Sequence, residues 1–392
     1  MIGVRSGTKW VEAKERLWRW ARRRVQGRLV QIVNYHSIAP ADNPFIVGQG
    51  QRHAPEELAA HLAYLRRHFH PMRLADLIAA VEARRPLDRA VAVTFDDGFR
   101  DVLEFALPLL RAHRVPATMF VVTSLVGNAE LMWRHKLTWL ISHGRAARVY
   151  DALRAEFRRH GAELYRDPAA QDGAAQPDLF ELTRRCYRPE LVPPLLDELL
   201  REGGWNAAHL AAHHRPYVEP RDLERADGEW LEFGNHTHTH PMLSALTPAE
   251  QERELSVARD LLTRWTGRAP IAAAYPFGLA DSYDAHTVDR VARTGHRAAL
   301  DMRRRVNAPG VSPLELSRKP APHGDARQFE RTLEDWRFSA PRLHASRTSE
   351  GLLLNHRMFR GSPRPVRTML RPYWETPGTP EPTSTLGGGE AS

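Results

Sequence analysis

This 392-residue chain contains a single cysteine, and it has neither long hydrophobic runs nor an apolar segment ahead of its first predicted strand. Cys186 is the single cysteine, so no disulfide can form within the chain, and a reducing compartment is compatible with the sequence. No run approaches the ~20 apolar residues of a membrane-spanning helix. No apolar segment typical of a signal peptide precedes the first predicted strand. We therefore expect a soluble, cytoplasmic protein without transmembrane helices.

Positive charge, in contrast, is in excess. The formal net charge is +9, which favours acidic partners such as a phosphate-linked or uronic-acid-bearing molecule. Nucleic acid is disfavoured, because the arginines are spread along the chain with no zinc-finger spacing or RNA-binding signature to organise them. We predict no nucleic-acid partner.

A basic N-terminal segment, residues 1–28, precedes the first predicted strand. Leu17, Trp18 and Trp20 are interleaved with its basic residues, a pattern compatible with peripheral contact on an anionic membrane surface. A solvated basic helix is the simpler interpretation.

Strand-like and helix-like segments alternate over the predicted main domain, residues 29–344. Apolar runs predict strands at 29–35, 91–95, 117–122, 229–233, 271–275, 297–301 and 314–318. Helical spacing and capping predict helices at 55–68, 74–81, 101–113, 247–265 and 285–293. Short connections between them imply parallel pairing through right-handed crossovers. The fold class is therefore α/β, a (β/α) barrel of about seven parallel strands.

Two regions depart from this alternation. Residues 128–225 read as a helical insertion, with helices predicted at 137–160, 179–201 and 207–214; the insertion is either a lid over the site or a hairpin without substrate contact. The pattern fades again in the C-terminal extension, residues 345–392. Its last part is rich in Pro, Gly, Ser and Thr and is predicted to be disordered.

Two clusters of polar side chains follow predicted strands. Asp96 and Asp97 come directly after an apolar β-branched run, at the strand end where barrels keep their chemistry. His236 and His240 follow another predicted strand, within a sequence poor in helix formers, so we expect a loop with His238 pointing away. One carboxylate and two imidazoles commonly hold a catalytic divalent metal and leave a position open.

These clusters resemble motifs of a known family, the polysaccharide deacetylases, also called NodB-homology proteins or family 4 carbohydrate esterases. Thr-Phe-Asp-Asp-Gly stands at residues 94–98, His-Thr-x-x-His at 236–240, and Tyr-Pro-Phe-Gly at 275–278 looks like a third motif. The resemblance runs from about residue 30 to 320, broken by the insertion. It implies a NodB-like, distorted TIM barrel.

The resemblance also implies roles for individual residues. Asp97, His236 and His240 would bind a divalent metal, most often zinc in this family, and Asp96 would be the general base. The chemistry agrees with these roles, because a Lewis acid polarises an acyl carbonyl and lowers the pKa of water towards about 7. A neighbouring carboxylate can then remove the proton.

The sequence departs from the family pattern at two further roles. Ala272–Ala274 stand where an arginine usually orients the base, and Arg318, at the end of the last predicted strand, is our candidate to replace it. The late Leu-x-x-x-x-His motif that supplies the general acid is not recognisable. His323 and His356 are candidate substitutes.

Four residues are candidates for substrate contact. Tyr275, Pro276 and Phe277 would form an apolar wall that stacks on a sugar ring, with core packing at a strand end as the alternative. His36 would face the site from the end of the first strand, unless it is a structural histidine bonded to backbone.

The sequence therefore predicts a metal-dependent deacetylase that hydrolyses the N-acetyl or O-acetyl group of a sugar in a polysaccharide or in a lipid- or nucleotide-linked precursor. One alternative is a hydrolase of the same fold that opens a cyclic C–N bond. Another is a degenerate barrel that only binds a glycan.

Overall fold

The computed structural model describes residues 30–159, 178–226, 228–305, 307–308 and 310–334. The basic N-terminal segment, the C-terminal extension and His356 lie outside these ranges, so the predictions made for them stay predictions. Among the helices that are described, none combines the length and apolarity that a membrane crossing requires.

Parallel strands form the centre of the molecule. In chain order the strands are β1 (Gln31–Tyr35), β2 (Ser37–Ile38), β3 (Arg52–His53), β4 (His70–Pro71), β5 (Ala90–Phe95), β6 (Ala117–Val121), β7 (Leu231–Asn235), β8 (Ala272–Ala274), β9 (Ala298–Asp301), β10 (Leu316–Ser317) and β11 (Lys319–Pro320). The main sheet runs in the order β10-β9-β8-β7-β6-β5-β1-β11, with β4 paired to β5, while β2 and β3 pair separately. Every residue of β5 is buried, as expected for a strand covered on both faces.

The sheet closes through a short segment around Arg318. β10 pairs with β9 and β11 pairs with β1, both in parallel, and only Arg318 separates β10 from β11. β10 and β11 are therefore two halves of one barrel strand, which pairs with both edges of the sheet. Counted in this way, the eight strands of the sheet order form a barrel of seven strands. This confirms the predicted distorted (β/α) barrel of about seven strands.

Helices cover the barrel and fill the insertion between β6 and β7. They are α1 (Pro55–His68), α2 (Leu74–Glu82), α3 (Leu107–His113), α4 (Trp133–Ser142), α5 (Ala146–Arg159), α6 (Leu179–Arg185), α7 (Val192–Glu202), α8 (Ala207–His214), α9 (Pro220–Glu224), α10 (Pro248–Thr266), α11 (Ala285–Arg293) and α12 (Ala326–Glu334). The start of α10 follows from its capping box, in which the Glu250 carboxylate accepts from the Thr247 N–H and Thr247 Oγ1 accepts from the Glu250 N–H.

Proline and glycine explain where the predicted helices differ from the observed ones. Pro108 has no N–H to give the carbonyl four residues earlier, and the chain forms a π-helix over Val102–Ala106 before α3. The single helix predicted at 137–160 is wrong, because Gly144 adopts a left-handed φ of 76° and separates α4 from α5. The helix predicted at 179–201 is likewise two, α6 and α7, with Pro193 near the start of the second.

The insertion packs directly on the barrel. Apolar side chains of α4, α5 and α7, among them Leu137, Leu153 and Leu196, belong to the same buried cluster as Val93 and Met119 of the barrel strands. The insertion and the barrel therefore share one hydrophobic core, and Trp133 Nε1 of α4 also donates to the carbonyl of His240, which follows β7.

Candidate metal centre and active site

The predicted site residues meet at the carboxyl ends of the barrel strands. Asp96 and Asp97 follow β5, His236 and His240 follow β7, and Arg318 lies between β10 and β11. All five line one cavity of about 1060 Å³, at the upper end of the ~300–1,000 Å³ range of ligand pockets.

Asp97, His236 and His240 form a compact buried cluster. Asp97 Oδ1 lies 3.5 Å from His236 Nε2 and 3.7 Å from His240 Nε2. One ligand atom from each residue lies within 4.8 Å of the other two. His236 Nδ1 donates to the Ala274 carbonyl at 2.9 Å, which leaves the lone pair on the Nε2 that faces Asp97.

The charges of this cluster fit a divalent metal. Asp97 Oδ1 is buried and makes no hydrogen bond to any described residue. Burial and the adjacent charge of Asp96 raise the pKa of Asp97 to about 8. A buried carboxylate without a cation is unfavourable, and two imidazoles with one carboxylate are a donor set that zinc accepts. A bound cation would therefore supply the missing partner of Asp97.

The backbone around the site is unusual at four residues, two of them in the histidine loop, residues 236–240. Left-handed φ angles between 59° and 71° occur at Asp97, Thr237, His240 and Phe277, and such strain concentrates at functional sites. Within the loop, Thr237 Oγ1 accepts from the His240 N–H at 3.1 Å. His238, as expected, points away: its Nδ1 lies 2.9 Å from Thr123 Oγ1, outside the cavity.

Asp96 is held by a buried bidentate ion pair. Arg318 Nη1 donates to Asp96 Oδ1 at 2.7 Å and Nη2 donates to Oδ2 at 2.8 Å, while Asn34 Nδ2 donates to Oδ2 at 3.0 Å. Burial alone would raise the pKa of Asp96, but Arg318 and His236 outweigh it and hold that pKa well below its usual range. The geometry places Arg318 where the candidate orienting arginine was expected.

Asn34, Arg134 and His135 also line the cavity, and the sequence did not single them out. Asn34 reads as one more residue of a buried strand. Arg134 and His135 lie at the start of α4, inside the insertion, where no spacing relates them to either motif. Their position means that the insertion contacts the cavity, which favours the cap interpretation over a hairpin without substrate contact.

The predicted apolar wall is only partly present. Phe277 lines the cavity and packs against the His240 ring at 5.1 Å. Tyr275 reaches the cavity, but its ring stacks on Tyr283 at 3.9 Å and its hydroxyl donates to the Leu314 carbonyl, which is core packing. Pro276 is buried and is not among the described residues that line the cavity.

The candidate histidines separate into two groups. His36 is half-buried and lines the cavity, and burial lowers its pKa to about 4. His323 does not reach this cavity, because its ring stacks on His53 and its Nε2 lies 3.0 Å from the Gly50 carbonyl. The geometry therefore gives His323 no contact with the reacting groups.

Comparison with known proteins agrees with this arrangement. The profile of the polysaccharide deacetylase family matches residues 83–164 and 185–299, half of the chain. The Bacillus subtilis protein YxkH, whose name is that of a polysaccharide deacetylase, is 26% identical over 116 residues, 29% of this chain and 39% of YxkH. Poly-beta-1,6-N-acetyl-D-glucosamine N-deacetylase of Staphylococcus epidermidis is 25% identical over 143 residues, 34% of this chain and 48% of that protein. The match thus spans less than half the length of either curated relative.

The structure of the Streptococcus pyogenes deacetylase PplD in complex with acetate superposes with a TM-score of 0.51, at 16% identity, over 78% of this chain and 98% of PplD. This likeness concerns the fold. The family profile covers both the Asp96–Asp97 motif and the histidine loop, and it establishes that the chain belongs to the polysaccharide deacetylase family.

Proposed function

We propose that this protein is a metal-dependent hydrolase of non-peptide carbon–nitrogen bonds that removes the N-acetyl group, or an O-acetyl group, from a sugar of a polysaccharide or glycan precursor. One observation carries the proposal: a buried Asp97–His236–His240 cluster stands beside a second carboxylate, Asp96, that is fixed by Arg318. The two carboxylates are adjacent in sequence but have different partners, which suits two different tasks.

The first task is to bind the metal, and zinc suits the donor set of Asp97, His236 and His240. A divalent ion held there would act as a Lewis acid towards an acyl carbonyl and would lower the pKa of a water molecule towards about 7. His236 is kept in the required tautomer by the Ala274 carbonyl. The Phe277 ring packs against the His240 ring, with the two ring centroids 5.1 Å apart.

The second task is proton transfer, which we assign to Asp96. Its depressed pKa keeps the carboxylate ionised throughout the neutral range, but also makes it a weak base. Asp96 would therefore accept a proton only from a water molecule whose own pKa a bound divalent ion has lowered. Arg318 and Asn34 hold its two oxygens in one orientation, so the proton acceptor is fixed before the substrate arrives.

An N-acetylated glycan is the substrate class that the comparisons favour. The relative from Staphylococcus epidermidis is named for deacetylation of poly-beta-1,6-N-acetyl-D-glucosamine. The cavity has room for more than the acetyl group, and Phe277 offers it a half-buried aromatic surface of the kind that packs on sugars. His36, on another part of the cavity lining, is proposed to contact the same substrate.

Release of acetate is the test. The purified protein would be incubated with β-1,4- and β-1,6-linked N-acetylglucosamine oligomers, an O-acetylated glycan, and a nucleotide-linked N-acetyl sugar. We expect acetate from at least one of them, loss of the activity on chelation, and its return with added zinc, cobalt or nickel. Ring opening of a cyclic imide without acetate release would instead favour the other hydrolase of this fold, and a protein without metal or activity would indicate a binding module.

A further inference from the structure

Arginines dominate the charge of the cavity. Among the described residues, six arginines and four carboxylates line it, which gives this lining a net positive charge, and a divalent ion would add to that charge. A cleft of one sign with low-dielectric walls concentrates ligands of the opposite charge.

Several of these arginines already have acidic partners. Arg318 is paired with Asp96, and Arg305 with the buried Asp301. Arg184 contacts Glu181 at 2.7 Å and Asp281 at 2.9 Å. Their charges are largely neutralised locally, so they shape the cavity more than they attract a ligand.

Arg134 is arranged differently. Its guanidinium lies over the rings of Phe277 and Phe180, at 5.2 Å and 5.4 Å, and Nη2 donates to Gln49 Oε1 at 3.2 Å. Within the described part of the chain, no carboxylate oxygen lies within 4.0 Å of it. These contacts fix the planar group but leave most of its five N–H donors uncommitted.

An enclosed cation without an ion pair is costly, and a ligand can supply the missing charge. Burial lowers the pKa of Arg134 to about 10, which still leaves it charged at neutral pH. Three acids attract Arg134 electrostatically, and each already has another role. Asp97 is assigned to the metal, Glu181 pairs with Arg184 and Arg185, and Asp178 caps the start of α6. Among the described residues Arg134 therefore has no carboxylate partner of its own.

We propose that the natural substrate carries an oxyanion, a carboxylate or a phosphate, close to the acetylated sugar, and that Arg134 binds it. This inference rests on the proposed deacetylase function, because the acetyl group must lie at the Asp97–His236–His240 centre while the anion reaches α4. The flat fork of a guanidinium matches both kinds of oxyanion through paired hydrogen bonds. The insertion would then select the substrate, while the barrel performs the chemistry.

The test compares matched substrates in the full-length, metal-loaded protein. Acetate release would be measured for a neutral N-acetylated oligosaccharide, for one of equal length with a uronate next to the acetylated sugar, and for one with a phosphate there. We expect the wild type to prefer an anionic substrate by about tenfold or more in kcat/KM at low salt. In Arg134→Gln this preference should disappear, a fall of about tenfold or more, and Arg134→Lys should lie between the two. Arg66→Gln, on the exposed face of α1, is the matched control and should keep the preference.

A binding measurement separates this inference from the deacetylase proposal. Calorimetry would compare a uronate-containing oligosaccharide that lacks acetyl groups with its neutral counterpart, in the wild type and the same variants. If the uronate compound binds more tightly and Arg134→Gln removes the difference, the inference stands, even for a protein that releases no acetate. If acetate is released but the anion preference is absent, or stays within about threefold of wild type in Arg134→Gln, the inference is overturned and the deacetylase proposal survives.

Discussion

The buried ion pair between Arg318 and Asp96 should contribute strongly to the stability of the fold. Arg318 is fully buried and the Asp96 side chain is 5% exposed. Removing one partner of a buried ion pair leaves the other charge uncompensated, at a cost of about 3–5 kcal/mol. Arg318→Met should therefore lower the free energy of unfolding by that amount, a large fraction of a typical total.

Arg318→Lys tests the geometry without removing the charge. Lysine cannot reproduce two parallel bonds to Asp96 together with the 2.8 Å bond from Arg318 Nη1 to Asn34 Oδ1. A misplaced catalytic carboxylate costs on the order of 100-fold in rate. We expect kcat/KM for acetate release to fall about 10- to 100-fold, with metal content unchanged, because none of the three proposed ligands is hydrogen-bonded to Arg318.

A double-mutant cycle measures the pair directly by chemical denaturation. Asp96→Asn combined with Arg318→Met should cost clearly less than the sum of the single variants, with a coupling energy of about 2–3 kcal/mol. Asn34→Ala, which removes the third hydrogen-bond partner of Asp96, serves as a comparison outside the ion pair. A coupling below about 0.5 kcal/mol, together with normal activity of Arg318→Lys, would refute the positioning role.

Two further predictions concern stability. Burial lowers the pKa of His296 to about 4, whereas a histidine of the unfolded chain has a pKa of about 6.5. The unfolded state therefore binds a proton that the folded state does not, and stability should fall as the pH drops from about 6.5 towards 4, by about 1.4 kcal/mol at pH 5.5. Denaturation of His296→Gln should show a shallower pH dependence than that of the wild type. Gly278 has a φ of 61°, and an added Cβ would lie 2.5 Å from the Met302 backbone nitrogen. Gly278→Ala should therefore lower the free energy of unfolding by about 2–4 kcal/mol in the same assay. Gly204 is also left-handed, at φ 81°, but has open space around it, so Gly204→Ala should lower the free energy of unfolding by only about 1 kcal/mol.

Local signals made much of the barrel predictable. The buried run of β5 and the capping box at Thr247 each contain enough information within a few residues to define an element, and both match the structure. The motif residues Asp97, His236 and His240 could be grouped in advance because their spacing resembles that of a known family. Arg318 could be named because the strand carrying it was predicted to end at the same edge of the sheet.

The rest of the site depends on contacts that no local pattern records. Asn34 reaches Asp96 because β1 pairs in register with β5, with Asn34 opposite Thr94. Arg134 enters the cavity because α4 is anchored next to the site: Trp133 Nε1 donates to the His240 carbonyl at 3.0 Å, and the Trp133 ring centroid lies 5.9 Å from that of Phe277. The break between α4 and α5 was missed because helical spacing continues across Gly144, whose backbone conformation ends the helix.

The two adjacent carboxylates are assigned different tasks, metal binding to Asp97 and proton transfer to Asp96. This assignment is tested most directly by measuring the metal content and acetate release of Asp96→Asn and Asp97→Asn side by side, since both variants make the same chemical change at neighbouring positions. Asp96→Asn should retain one divalent metal per chain and lose activity by about 10²- to 10⁴-fold, whereas Asp97→Asn should lose the metal together with the activity. Full metal occupancy in Asp97→Asn, or near-normal turnover in Asp96→Asn, would contradict the account.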